Sequence, residues 1–70
     1  MKKVYKLVRF EKFVLNDEIY WDCYCKKTPV QRIGWWGMVD GVLWTQEEDG
    51  HPTPEELEEI VAFGKQLETK

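Results

Sequence analysis

The stretch KVYKLVRFEKFVLNDEIYWDCYCKK, residues 3–27, reads as two β-strands, 3–15 and 18–27, hinged on Asn16-Asp17. Short Asn and Asp side chains bond the local backbone and tolerate φ > 0, so this dipeptide suits a tight hairpin turn. A loop of two or four residues produces one register. Val14 then faces Ile19, Lys12 faces Trp21, Phe10 faces Cys23 and Val8 faces Cys25. Because side chains alternate across a strand, these pairs share a face with Val4. That face is almost wholly apolar and is the expected core side. The opposite face collects Tyr5, Leu7, Arg9, Glu11, Phe13, Glu18, Tyr20, Asp22, Tyr24 and Lys26. It is amphipathic, and Glu11 opposite Asp22 is a mildly unfavourable pair.

Thr28-Pro29 ends the second strand, because proline cannot donate to a ladder. A third strand is expected over 31–39 and a fourth over 42–46, joined by Asp40-Gly41. Asp-Gly between apolar runs favours a two-residue turn with φ > 0 at both positions. That turn would pair Val39 with Val42, Met38 with Leu43 and Trp36 with Thr45. Both faces of this second hairpin are apolar, so alternation alone does not say which is buried. Gly34 and Gly37 around the tryptophan pair suggest a bulge or the close approach of another group.

A polar loop, 46–53, leads into a strong helix start. Thr53 serves as N-cap, Pro54 takes the first helical position and Glu56 completes a capping box. Leu57, Ile60, Val61, Gly64 and Leu67 then recur at helical spacing, with Phe63 at the edge of the stripe. They are expected to lie over Val8, Phe10, Trp21 and Cys23. The reading is one α+β domain, residues 1–70: a four-stranded antiparallel sheet of two hairpins with one C-terminal helix packed on one face, order β-β-β-β-α.

Length makes the core question acute. A chain of 70 residues buries only about 60% of the surface that its unfolded form exposes. Four Trp, three Tyr and three Phe offset this, since each ring can bury roughly 150–250 Å². Lys6, Arg9, Glu11 and Lys12 interrupt any apolar run after Lys2-Lys3, so no signal peptide is expected. No stretch is apolar for the eighteen or so residues of a membrane span. The only two cysteines, Cys23 and Cys25, stand at i and i+2 on one strand face. That spacing rarely suits a disulfide, and the thiols read as reduced in a cytoplasmic protein.

The net charge of −3 conceals an asymmetry. Residues 1–32 carry eight Lys/Arg against four acids, and residues 33–70 carry nine acids against Lys65 and Lys70. Such polarity reports either a partner or two halves that attract each other. In the second half, Glu47, Glu48, Asp49, Glu55, Glu56, Glu58 and Glu59 form a run without a basic residue. Part of it complements the helix dipole, and the rest offers an anionic surface for a basic partner.

Chemistry finds little support. Cys23, Cys25 and His51 lack the spacing and the fourth ligand of a zinc site, so no metal or other cofactor is expected. One loop histidine and two core-face thiols make no nucleophile–base pair, and no enzyme activity is expected. Tyr5, Phe13, Tyr20 and Tyr24 interleave with Arg9, Lys26 and Lys27, a pattern that can stack unpaired bases and hold phosphates. Net acidity opposes that reading. The sharper clue is Trp35-Trp36, of which one must point away from a core that a single helix covers on one side.

The expected function is therefore a small non-enzymatic interaction module. It would bind another protein, or a second copy in a homodimer, through the open aromatic sheet face and the acidic loop–helix surface. The partner-binding candidates are Trp35, Trp36, Trp44, Tyr20, Tyr24, Glu47, Glu48 and Asp49. A single-stranded nucleic-acid binder is the second reading, and no membrane partner is expected.

Overall fold

In the computed structural model, residues 5–69 are described. Four strands, β1 (Val8–Leu15), β2 (Glu18–Cys25), β3 (Arg32–Gly37) and β4 (Leu43–Gln46), precede one helix, α1 (Pro54–Glu68). The strands form one antiparallel sheet in the order β1-β2-β3-β4. The expected β-β-β-β-α architecture is the one found. No helix among the described residues is long and apolar enough to cross a membrane.

The first hairpin keeps its expected register throughout, from Val8 opposite Cys25 to Leu15 opposite Glu18. Asn16 and Asp17 form its two-residue turn with φ of 53° and 63°, the left-handed pair that matches the twist of the flanking strands. The strand is shorter at its other end than the alternation suggested. Val4 and the start of the expected first strand lie outside the described residues. Leu7 keeps one ladder bond, its carbonyl accepting from the Lys26 N–H at 3.0 Å, and the chain bends there toward the helix, where the Glu59 carboxylate holds the backbone. Its Oε1 accepts from the N–H groups of Leu7 and Val8 at 3.0 and 3.2 Å, and its Oε2 from those of Lys6 and Leu7 at 3.2 Å. Tyr5 and Leu7 consequently pack against the core rather than on the outer face.

The second hairpin is displaced by one residue from the expected pairing. Trp36 lies opposite Trp44, Trp35 opposite Thr45 and Gly37 opposite Leu43. Asp40 and Gly41 do have positive φ, 55° and 112°, but they sit inside a five-residue loop, Met38–Val42. The longer loop brings Trp36 and Trp44 to the same side, their centroids 5.4 Å apart. Gly34 makes room for this arrangement, since a Cβ there would come within 2.5 Å of the Trp44 ring. A register shift between Cys23 and Tyr24 sets Arg32 and Ile33 against one residue of β2, a bulge that turns Ile33 into the core.

The helix begins as expected. The Thr53 hydroxyl accepts from the Glu56 N–H at 3.2 Å, and the Glu56 carboxylate accepts from the Thr53 N–H at 2.8 Å. The face it turns inward is different. Glu56, Ile60 and Gly64 are buried, Phe63 stacks on Phe10 with centroids 3.8 Å apart, and Leu57 and Val61 remain 37% and 49% exposed. Two acids cause this rotation. Glu59 is held by the backbone of residues 6–8, and Glu56 accepts the Cys25 thiol hydrogen at 2.9 Å. Gly64 completes the seat, because a Cβ there would collide with the Trp36 ring. The core is thus Val8, Cys23, Ile33 and Ile60, flanked by Phe10, Cys25, Trp36 and Trp44.

Candidate functional site

The helix lies on the Val8–Cys23 side of the sheet, which leaves the other side as the open face. Strand pairing sorts that face into three rows. Phe13, Tyr20, Gly37 and Leu43 form an apolar row nearest the first turn, with the Leu15–Glu18 pair beyond it. Glu11, Asp22, Trp35 and Thr45 form the middle row. Arg9, Tyr24 and Arg32 form the third, and Glu47 reaches its far end by pairing with Arg32. The face is therefore graded from apolar at one end to charged at the other.

Charge on this face is paired off internally. Arg9 forms an ion pair with Glu11, donates to the Pro29 carbonyl at 2.9 Å and lies 4.5 Å from the Tyr24 centroid. Arg32 bridges Asp22 at 3.4 Å and Glu47 at 2.6 Å, with its guanidinium 4.7 Å from the Trp35 centroid. Each cation thus sits on an aromatic ring, Arg9 held by Glu11 and the Pro29 carbonyl and Arg32 between two carboxylates. The unfavourable Glu11–Asp22 neighbours are each relieved by an arginine. Burial works against the Arg32 charge, but the hydrogen-bonded Glu47 and the nearby Asp22 outweigh it and raise its pKa. Tyr20 donates its hydroxyl to Glu18 at 2.9 Å, and that bond to a carboxylate raises the phenol pKa.

Phe13, Leu15, Tyr20 and Trp35 wall a shallow notch of about 250 Å³, with Asp22 and Arg32 at its border. Phe13, Leu15 and Leu43 are 45%, 50% and 65% exposed. They are the apolar side chains the face presents to water. The wide exposure of these three was not singled out from the sequence. The signal existed in their parity with Tyr20 and in the shortness of β3 and β4.

The sequence-derived candidates divide between surfaces. Trp35, Tyr20 and Tyr24 lie together on the open face. Trp36 and Trp44 lie on the helix side, with their indole N–H groups buried and unpartnered among the described residues, so packing holds them. Glu47 sits at the rim of the open face through Arg32. Asp49 accepts from Gln31 at 3.2 Å, and Glu48 is exposed beside it. Within the acidic run, Glu56 and Glu59 are occupied in holding the fold.

Nucleophilic chemistry is disfavoured by the thiols' surroundings. Cys23 is fully buried, and burial, followed by neighbouring Cys25 and Glu56, pushes its pKa up to about 12. The low-pKa, exposed setting of a reactive thiolate is the opposite. The Cys25 thiol spends its hydrogen on Glu56. This bond lowers the Glu56 pKa against the opposing effect of burial, with the Thr53 N–H and Lys27 assisting. Among the described residues, no three His, Cys, Asp or Glu side chains converge as a metal site would require. No known protein family, curated protein or solved structure matches the chain.

Proposed function

We propose that this chain is a non-enzymatic docking module of the cytoplasm whose open sheet face binds protein. The observation that carries the reading is the state of the face's charges. Four carboxylates, Glu11, Glu18, Asp22 and Glu47, share it with two arginines, and both arginines are already paired and stacked. Among the described residues, a nucleic-acid backbone would meet net negative charge with no free cation at the centre of the face, whereas affinity for phosphate depends on cations that can neutralise it. What the face leaves unsatisfied is its apolar row, and burial of such a row on a partner is worth about 25 cal/mol per Å². Free thiols at Cys23 and Cys25 fit a reducing compartment.

Photo-crosslinking tests this. A photoreactive residue replacing Leu43 on the open face should give discrete protein adducts in cell extract. The same residue replacing Val61 on the outer helix should give none. Adducts to nucleic acid at position 43, lost as salt rises, would overturn the proposal in favour of the stacking-surface reading.

A further inference from the structure

We infer that the occupant of the open face is a second copy of this chain, placed by a two-fold axis that runs along the strands between β2 and β3. This rests on the docking-module reading and names its partner. The domain is a slab, with principal extents of 30 × 29 × 16 Å. A stable interface takes about 800 Å² from each partner, so it needs most of one broad side. The open face is that side, because α1 occupies the other. The longer of the two sheet edges, β1, is a poor alternative. Pairing β1 with itself in an antiparallel manner requires residues of one face to meet, which centres on Glu11 against Glu11 or Lys12 against Lys12, and like charges so placed are destabilising.

The grading of the face selects the axis. Sheets packed face to face keep their strands within about 30° of each other, roughly 10 Å apart. A two-fold axis across the strands would lay the apolar row on the Arg9–Tyr24–Arg32 row. An axis along the strands lays each row on itself with its order reversed. Phe13 then meets the partner copy's Leu43, and Tyr20 lies over the partner copy's Gly37 beside the axis, where the missing side chain leaves room for the ring. In the charged row Arg9 approaches Glu47 of the other copy, and Tyr24 approaches Arg32. The apolar row meets itself and Arg9 meets Glu47, from one patch used twice, as a closed two-fold pair demands. The ion pairs at Arg9 and Glu47 fall at the rim, where charge contributes specificity and encounter rate more than affinity.

Sedimentation equilibrium of the purified chain at tens of micromolar tests the partner. The expected species has twice the 8.4 kDa chain mass. Leu43→Arg, and independently Phe13→Arg, should raise the dissociation constant at least tenfold, while Val61→Arg leaves it unchanged. Far-UV circular dichroism confirms that each variant is folded. A bis-maleimide then tests the axis. An equimolar mixture of Glu11→Cys and Thr45→Cys chains should cross-link to each other, whereas Glu11→Cys chains cross-linking among themselves would overturn the axis. An 8.4 kDa species that still gives foreign-protein adducts at position 43 would overturn the second copy and spare the docking module. Loss of both the dimer and the adducts would overturn both.

Discussion

One sheet presents two faces that both contain charge, and the charges act in opposite ways. On the helix side, Glu56 and Glu59 reach inward and organise the backbone around the core, one at the helix cap and one across residues 6–8. On the open side, Glu11, Asp22 and Glu47 pair with arginines whose guanidinium groups sit over Tyr24 and Trp35. The first arrangement satisfies backbone donors that packing would otherwise strand without partners. The second ties up both arginines of the surface and leaves its apolar row as the unsatisfied feature. A carboxylate is therefore no marker of the solvent side in this protein. What it bonds decides which side it stabilises.

The largest expected contrast between the faces is in core truncation. Ile60→Ala, at a site only 1% exposed, should cost about 2–5 kcal/mol of stability, a large share of what a domain this small has. Leu43→Ala on the open face should stay within about 0.5 kcal/mol when the chain is dilute. Equal losses in denaturant melts of the two variants would erase the distinction between a core face and a docking face.

Gly64 offers a sharper probe of the helix seat. Alanine would gain about 1 kcal/mol of helix propensity, yet its Cβ would enter the space of the Trp36 ring. Overpacking of this kind costs about 1–3 kcal/mol, so Gly64→Ala should be destabilising on balance. A higher melting temperature in the variant would mean that the helix can lift from Trp36 without penalty.

The smallest expected effect is the acid response of Glu56. Its folded pKa lies below the ordinary 4.5, so the folded state prefers the carboxylate ionised. The stability this contributes is present above that ordinary value and is lost as pH falls through the folded one. Wild type should therefore lose its stability advantage over Glu56→Gln as pH falls below the ordinary 4.5 and through the lower folded value. A constant gap across that range would remove Glu56 from the electrostatics of the covered face.

Legibility differed between elements for identifiable reasons. The first hairpin was readable because its alternation runs unbroken on both sides of Asn16-Asp17. The helix start was readable because Thr53, Pro54 and Glu56 act within one turn. The second hairpin was misread by one residue, since Asp40-Gly41 suits a tight turn while the two tryptophans demand a wider one. The helix stripe was misread because Leu57 and Val61 have the hydrophobicity of buried residues and Glu56 and Glu59 do not. Tyr5 and Leu7 were assigned by strand parity, which ends where the Glu59 carboxylate takes over their backbone.

By itself the sequence determined the β-β-β-β-α order, the register of β1 with β2 and the helix cap, because each depends on residues a few positions apart. Which tryptophan faces the helix, which helix face turns inward and how the open face arranges its charges belong to the tertiary structure. Those outcomes turn on contacts such as Glu59 with residues 6–8, Cys25 with Glu56 and Gly64 with Trp36, between groups far apart in the chain. Local pattern carries no information about such partners, and each contact gains its energy only once the chain has closed around it.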